Sequence, residues 1–108
     1  MTTGEQRELE QDLMRRIVAL AAPRRVILFG SAAHGVMGPD SDFDVLVIVE
    51  DGRNPKEATR AIYQGLWGFP LAVDALVFTE GDVERHGEDP GFVIRQALQE
   101  GRELFHAA

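Results

Sequence analysis

Gly30-Ser31, followed after the ten residues 32–41 by Asp42-Phe43-Asp44, is the arrangement in this chain whose residue types and spacing could do chemistry. Asp42 and Asp44 are two apart in a β-branched, apolar run. On a strand their side chains leave the same face with backbones about 7 Å apart, which lets both carboxylates converge on one divalent cation. Beside Val45, Leu46 and Ile48, carboxylates that were neither paired nor metal-bound would be costly to desolvate. Mg²⁺ suits such an all-oxygen site and keeps waters and substrate phosphates in its shell. Two such ions about 4 Å apart can stabilise the attacking and leaving oxygens of an in-line phosphoryl displacement. Gly30 lets backbone approach a phosphate closely, the amides that follow open a helical piece favourable to anions, and Ser31 adds a hydroxyl donor. A third acid, Asp74, interrupts a later apolar run between Val73 and Ala75. It is either a strand-end acid facing water or a further ligand of the same metal, and in the second role it can also accept the proton of an attacking hydroxyl.

Two other phosphate or metal motifs fail on detail. Asp40, Asp42 and Asp44 imitate the opening of a calcium-binding EF-hand loop, but the sixth position is Val45 and the twelfth Asp51, where that loop needs glycine and glutamate. The Gly30 to Gly35 segment has no lysine, so it is not a Walker-type loop.

The elements that must hold these residues follow from periodicity. Leu9, Leu13, Ile17 and Leu20 predict a helix from about Gln6 to Ala21, ended by Pro23. Arg25 to Phe29 reads as a short buried strand, and Gly30-Ser31 turns it into a brief helical piece, Ala32-Ala33-His34, with Gly35 placed to stop it. Val36 to Ser41 reads as a loop around Gly38, Pro39 and Asp40. Asp42 to Val49 is the strongest strand, with Phe43, Val45, Val47 and Val49 on one face and Asp42, Asp44, Leu46 and Ile48 on the other. Asn54, Pro55 and Glu57 supply an N-cap, a first-turn proline and a capping acid for a helix to about Leu66. Leu71 to Phe78 is a third strand. Thr79 with Asp82 predicts a capping box for a helix ending near His86, and Asp89-Pro90 opens a last helix ended by Gly101. The order predicts an α/β domain: a small mixed sheet covered by helices.

Size and composition set the outer limits. A chain of 108 residues fits one domain with a modest core. The net charge of −7 argues against broad DNA or RNA binding, yet not against a nucleotide, because a held cation inverts the local charge logic. It also suits a basic protein partner. Cysteine is absent, which removes disulfide, thiolate-zinc and thiol chemistry. No run approaches the roughly 18 apolar residues of a membrane span and no signal-peptide pattern opens the chain, so a cytoplasmic location with no membrane partner is the expectation. Trp67 and Phe69 could stack on a base or meet a partner, but their place beside Leu66 and Leu71 makes core packing the expectation.

Phe29-Gly30-Ser31, then Ser41-Asp42-Phe43-Asp44-Val45-Leu46-Val47, then Val73-Asp74 together resemble the DNA polymerase β-like nucleotidyltransferase superfamily. The small size resembles its minimal, single-domain branch, with residues 1–108 as one such domain, and the segment from Phe92 to Leu104 is similar to the tail common in these proteins. The resemblance implies that Asp42 and Asp44 bind Mg²⁺, that Asp74 completes the catalytic and metal-binding triad, and that Gly30, Ser31 and Ser41 hold the triphosphate. It implies transfer of AMP from ATP to a hydroxyl with release of pyrophosphate. Bacterial members of the branch often act as antitoxins that adenylylate a tyrosine of a HEPN-type RNase toxin, which makes such a toxin the expected partner. The alternatives are a non-catalytic protein of the same fold that neutralises a partner by binding, and an antibiotic-modifying transferase. A homo-oligomer would also supply an acceptor site. Many relatives carry arginine where this chain has His34, a poorer phosphate clamp when neutral, with Arg24, Arg25 or Arg53 as possible substitutes for the missing charge.

Overall fold

The computed structural model describes residues 2–34 and 42–108. Gly35, the expected loop Val36–Ser41 and the nucleotide-binding assignment of Ser41 lie outside the described residues. Helix α1 runs Thr3–Ala21, three residues longer at its start than periodicity suggests, because Thr2 and Glu5 form a capping box. It closes on Ala22 in the left-handed region at φ 44°, whose N–H reaches the Val18 carbonyl at 3.0 Å. Arg53 donates to the Ala21 and Ala22 carbonyls at 2.7 and 3.4 Å, satisfying acceptors that the end of a helix leaves free.

Strand β1 (Arg25–Phe29) leads directly into a 3-10 turn, Gly30–His34, and β2 is Phe43–Val49. Helix α2 (Pro55–Gly65) is capped by the Asn54 side chain on the Lys56 N–H at 2.9 Å. Strand β3 is Val73–Thr79, and α3 (Glu80–His86) begins with the expected Thr79–Asp82 capping box. Helix α4 spans Val93–Glu100 and starts later than Asp89-Pro90, with no side-chain cap on Phe92. Gly101 ends it, and the chain then forms a fourth strand, β4 (Arg102–His106). The sequence reading omits this strand.

The sheet order is β3-β2-β1-β4. β1 pairs antiparallel with both β2 and β4, while β2 and β3 are parallel, so the sheet is mixed. Period-two alternation along β2 splits the core in two. Phe43, Val45, Val47 and Val49 join Leu13, Ile17, Ala58 and Ile62 of α1 and α2, while Leu46 and Ile48 join Ile94 and Ala97 of α4. Along α1 the buried stripe is Gln6, Glu10, Leu13, Ile17 and Ala21, so the helix turns two polar side chains inward rather than Leu9 and Leu20, which are half-buried. Trp67 corrects the expectation of core packing: it is 90% exposed, at the end of α2. Phe69 does pack on the core and lies against Phe43. Among the described residues no helix is long and apolar enough to cross a membrane.

Candidate active site

The register of the sheet assembles the acids. Phe29 stands opposite Asp44 across the β1–β2 pair, and Asp44 stands beside Asp74 across the parallel β2–β3 pair. Adjacent strands are about 4.8 Å apart, so two carboxylates from distant stretches of sequence become neighbours at one end of the sheet. Asp42 immediately precedes β2 and is exposed; the strand begins one residue later than its alternation suggests. Asp44 is half-buried and Asp74 exposed.

Gly30 meets this cluster directly. Its φ is 72°, in the region that glycine alone adopts freely. A Cβ placed on it would collide with Asp44 Oδ2. Both observations favour glycine there, and the second puts the turn backbone against the Asp44 carboxylate. Ser31 is exposed beside it, while Ala32 is fully buried and pins the turn to the core.

The electrostatics at this end are unfavourable as they stand. Burial, then the charges of Asp74 and Asp42, push the Asp44 carboxyl above the ordinary aspartate value. Among the described residues none of the three acids forms an ion pair with arginine or lysine. Nor is any trio of His, Asp or Glu side chains among them gathered into a closed metal-holding group. The donor set nonetheless fits a hard divalent cation: all oxygen, strongly anionic, and lacking a protein cation to neutralise it. A cation drawn to the three carboxylates would reverse the influence that raises Asp44.

Tyr63 of α2 is a participant that sequence reasoning missed. Its hydroxyl accepts the Ala75 N–H at 2.9 Å and lies 3.4 Å from Asp74 Oδ1. β3 is an edge strand, so the hydroxyl satisfies part of the free edge beside the third acid. Nothing local in the helix marks that role. The arginines considered as replacements for a clamp at His34 are remote. Arg25 pairs with Ile48, at the other end of the sheet from Asp44, and makes an ion pair with Glu103 at 2.6 Å. Arg24 lies 3.9 Å from Glu80, and Arg53 is used on the α1 carbonyls. The cations near His34 are instead Arg7 and Arg102, which share with it a cleft of about 270 Å³.

Comparison with known proteins gives a consistent result. The family model for the nucleotidyltransferase domain matches residues 7–104. No curated protein matches the sequence significantly. Among solved structures, the chain is similar to one described as a proposed minimal nucleotidyltransferase, at 28% identity over 94% of this chain and 95% of that one, with a TM-score of 0.63. A proposed nucleotidyltransferase from Sulfolobus solfataricus is 26% identical over 77% of this chain and 78% of its own, at a TM-score of 0.55. A toxin–antitoxin crystallised with AMP-PNP shares the fold at 17% identity, covering 90% of this chain and 73% of that one, with a TM-score of 0.62.

Proposed function

The chain belongs to the nucleotidyltransferase domain family, and from that premise we propose that it transfers AMP from ATP to a protein hydroxyl. The observation that carries this reading is the register: Asp44 beside Asp74, with Asp42 one step away and the Gly30 backbone closing against the Asp44 carboxylate. In this proposal Asp42, Asp44 and Asp74 hold Mg²⁺, which when bound neutralises phosphate charge and polarises the α-phosphate. Gly30 and Ser31 hold the triphosphate, the first by permitting close backbone approach and the second through its hydroxyl. Asp74, with Tyr63 beside it, accepts the proton of the acceptor hydroxyl. The acceptor oxygen then forms a bond to the α-phosphorus, the bond from that phosphorus to the bridging oxygen breaks, and pyrophosphate leaves with the electron pair.

The acceptor we propose is a tyrosine of a HEPN-type toxin. Supporting it is the shared fold with a toxin–antitoxin that was crystallised with an ATP analogue. Tyr63, whose hydroxyl lies by Asp74, and Trp67, just past the end of α2, are both exposed and offer a surface on which such a partner can rest. The test uses ATP labelled at the α-phosphate, Mg²⁺ and the candidate toxin. Label should appear on the toxin, and Asp42→Ala or Asp44→Ala should lower the rate at least about a thousandfold, the scale of losing several kcal/mol of transition-state stabilisation. Unlabelled toxin that the aspartate variants still neutralise would show inhibition by binding alone.

A further inference from the structure

Glu10 is a carboxylate with 2% exposure in the middle of α1, and nothing in the proposed chemistry uses it. Its partner comes from the far end of the chain. Arg102 of β4 binds it in bidentate fashion, Nη1 to Oε1 at 2.7 Å and Nη2 to Oε2 at 2.9 Å. One helical turn earlier, Gln6 Nε2 donates to Glu10 Oε2 at 2.9 Å and to the carbonyl of Ala32 at 3.0 Å. Both acceptors are oxygens without protons, so the amide must present its NH₂ group to them. Both of its N–H bonds are thus assigned. The connected path runs from β4 through α1 to the centre of the Gly30–His34 turn.

We propose that Gln6 is a positioning residue for the triphosphate-binding turn, with Glu10 and Arg102 fixing Gln6 in place. The inference rests on the nucleotide-binding reading given above. A five-residue 3-10 turn has poor internal hydrogen-bond geometry and needs external support. Its core-facing side is held by the buried methyl of Ala32 and by the Gln6 amide on the Ala32 carbonyl. Among the described residues that is the side-chain hydrogen bond made to this turn from elsewhere in the fold. The opposite side, at Gly30 and Ser31, is left to face the acids and the substrate. Stability alone does not require this network, since a buried ion pair is often no better than apolar side chains of similar volume. Leucines at these positions would fill α1's inner stripe, but would leave the turn's carbonyl without a donor.

The discriminating variant is Gln6→Met, which keeps length and helix propensity, leaves the two Arg102 bonds to Glu10 in place and removes the amide donor to Ala32 and to Glu10 Oε2. Mg²⁺–ATP affinity is measured by titration calorimetry, and amide exchange is followed at Ala32, Ala33 and His34. The expected result is a melting temperature lowered by several degrees, since two buried acceptors lose a donor, with faster exchange at those amides and affinity of the folded protein weakened about tenfold, the scale of one well-made buried hydrogen bond. A purely structural role would lower the melting temperature while the folded protein bound as before. Equal affinity in wild type and variant, whatever the exchange shows, overturns the positioning role and leaves the nucleotide site standing. Absence of Mg²⁺–ATP binding by the wild type overturns both.

Discussion

Two acidic sites in this small fold, three aspartates at one end of the sheet and the single Glu10 on α1, are treated in opposite ways. At one end of the sheet Asp44 stands beside Asp74 with Asp42 two residues before it, and burial together with the charges of both drives Asp44 above its ordinary value. Under α1, burial likewise works against the charge on Glu10, yet the hydrogen bonds from Arg102 and Gln6 outweigh it and hold that carboxyl below its ordinary value. The deeper carboxylate is the more comfortable one. Depth alone therefore does not decide whether an acid is costly; the supply of donors does. Among the described residues the fold provides a bidentate guanidinium to Glu10 and no arginine or lysine partner to the three aspartates.

The largest effect should come from breaking the satisfied group. Arg102→Met leaves the buried Glu10 without its cation and should destabilise the protein by about 2 kcal/mol, below the range for a fully buried pair because the Arg102 side is open to solvent. In a chain of this size that lowers the melting temperature by about 10 °C or more. Adding Glu10→Leu should recover most of the loss, and failure of the double variant to recover in thermal melts would mean that packing, not charge, dominates there. The pair also sets an acid limb. The folded state holds the Glu10 proton more weakly than the unfolded chain, so the pair's contribution is present above the ordinary glutamate value and disappears as pH falls below it.

The unsatisfied group should respond with the opposite sign. Asp44→Asn, which abolishes transfer in the proposed mechanism, should raise the metal-free melting temperature by a few degrees at neutral pH. The folded state binds the Asp44 proton more tightly than the unfolded chain. Ionisation therefore costs stability from the ordinary aspartate value upward, fully so above the raised folded value, and melts at low pH should show the gain vanish. Mg²⁺ should stabilise the wild type and leave the variant unmoved; a wild type indifferent to Mg²⁺ would break the contrast between the two groups.

Smaller changes sharpen its edges. Tyr63→Phe removes the hydroxyl between Asp74 and the Ala75 amide, at a cost of about 1 kcal/mol or less because water can replace it at the sheet edge. Transfer should slow more than stability falls, as seen by comparing melts with single-turnover rates. Trp67→Ala should shift stability by less than about 0.5 kcal/mol, as for an exposed site, while weakening capture of the proposed toxin in a pull-down.

What was legible in the sequence follows the range of the interactions involved. The acid-bearing strand, the Gly-Ser turn, the Asn54 cap and the Thr79–Asp82 box are local, set by alternation or by contacts three residues long, and the structure agrees with them closely. β4 escaped notice because Arg102–His106 is a half-exposed edge strand with little alternation to separate it from a frayed helix end. Glu10 escaped because its partner is 92 residues away, and an inward-facing glutamate looks like any other charge on a helix. Trp67 departs from its expected place for the reverse reason: apolar neighbours in sequence suggest a core, while the turn at Gly68, with φ 88°, carries the chain on without covering the indole.

The hydrogen-bonded path from Arg102 to Ala32 also bears on the order in which the protein can become competent. As the chain emerges from a ribosome, everything up to Glu100 brings out all three aspartates, the Gly-Ser turn and Gln6. It does not bring the guanidinium that makes Glu10 tolerable in the interior. Without β4 on β1, Glu10 would keep the Gln6 amide as its donor but lose its guanidinium on the face that α1 buries. The support of the Gly30–His34 turn thus depends on a strand that follows all three aspartates in chain order.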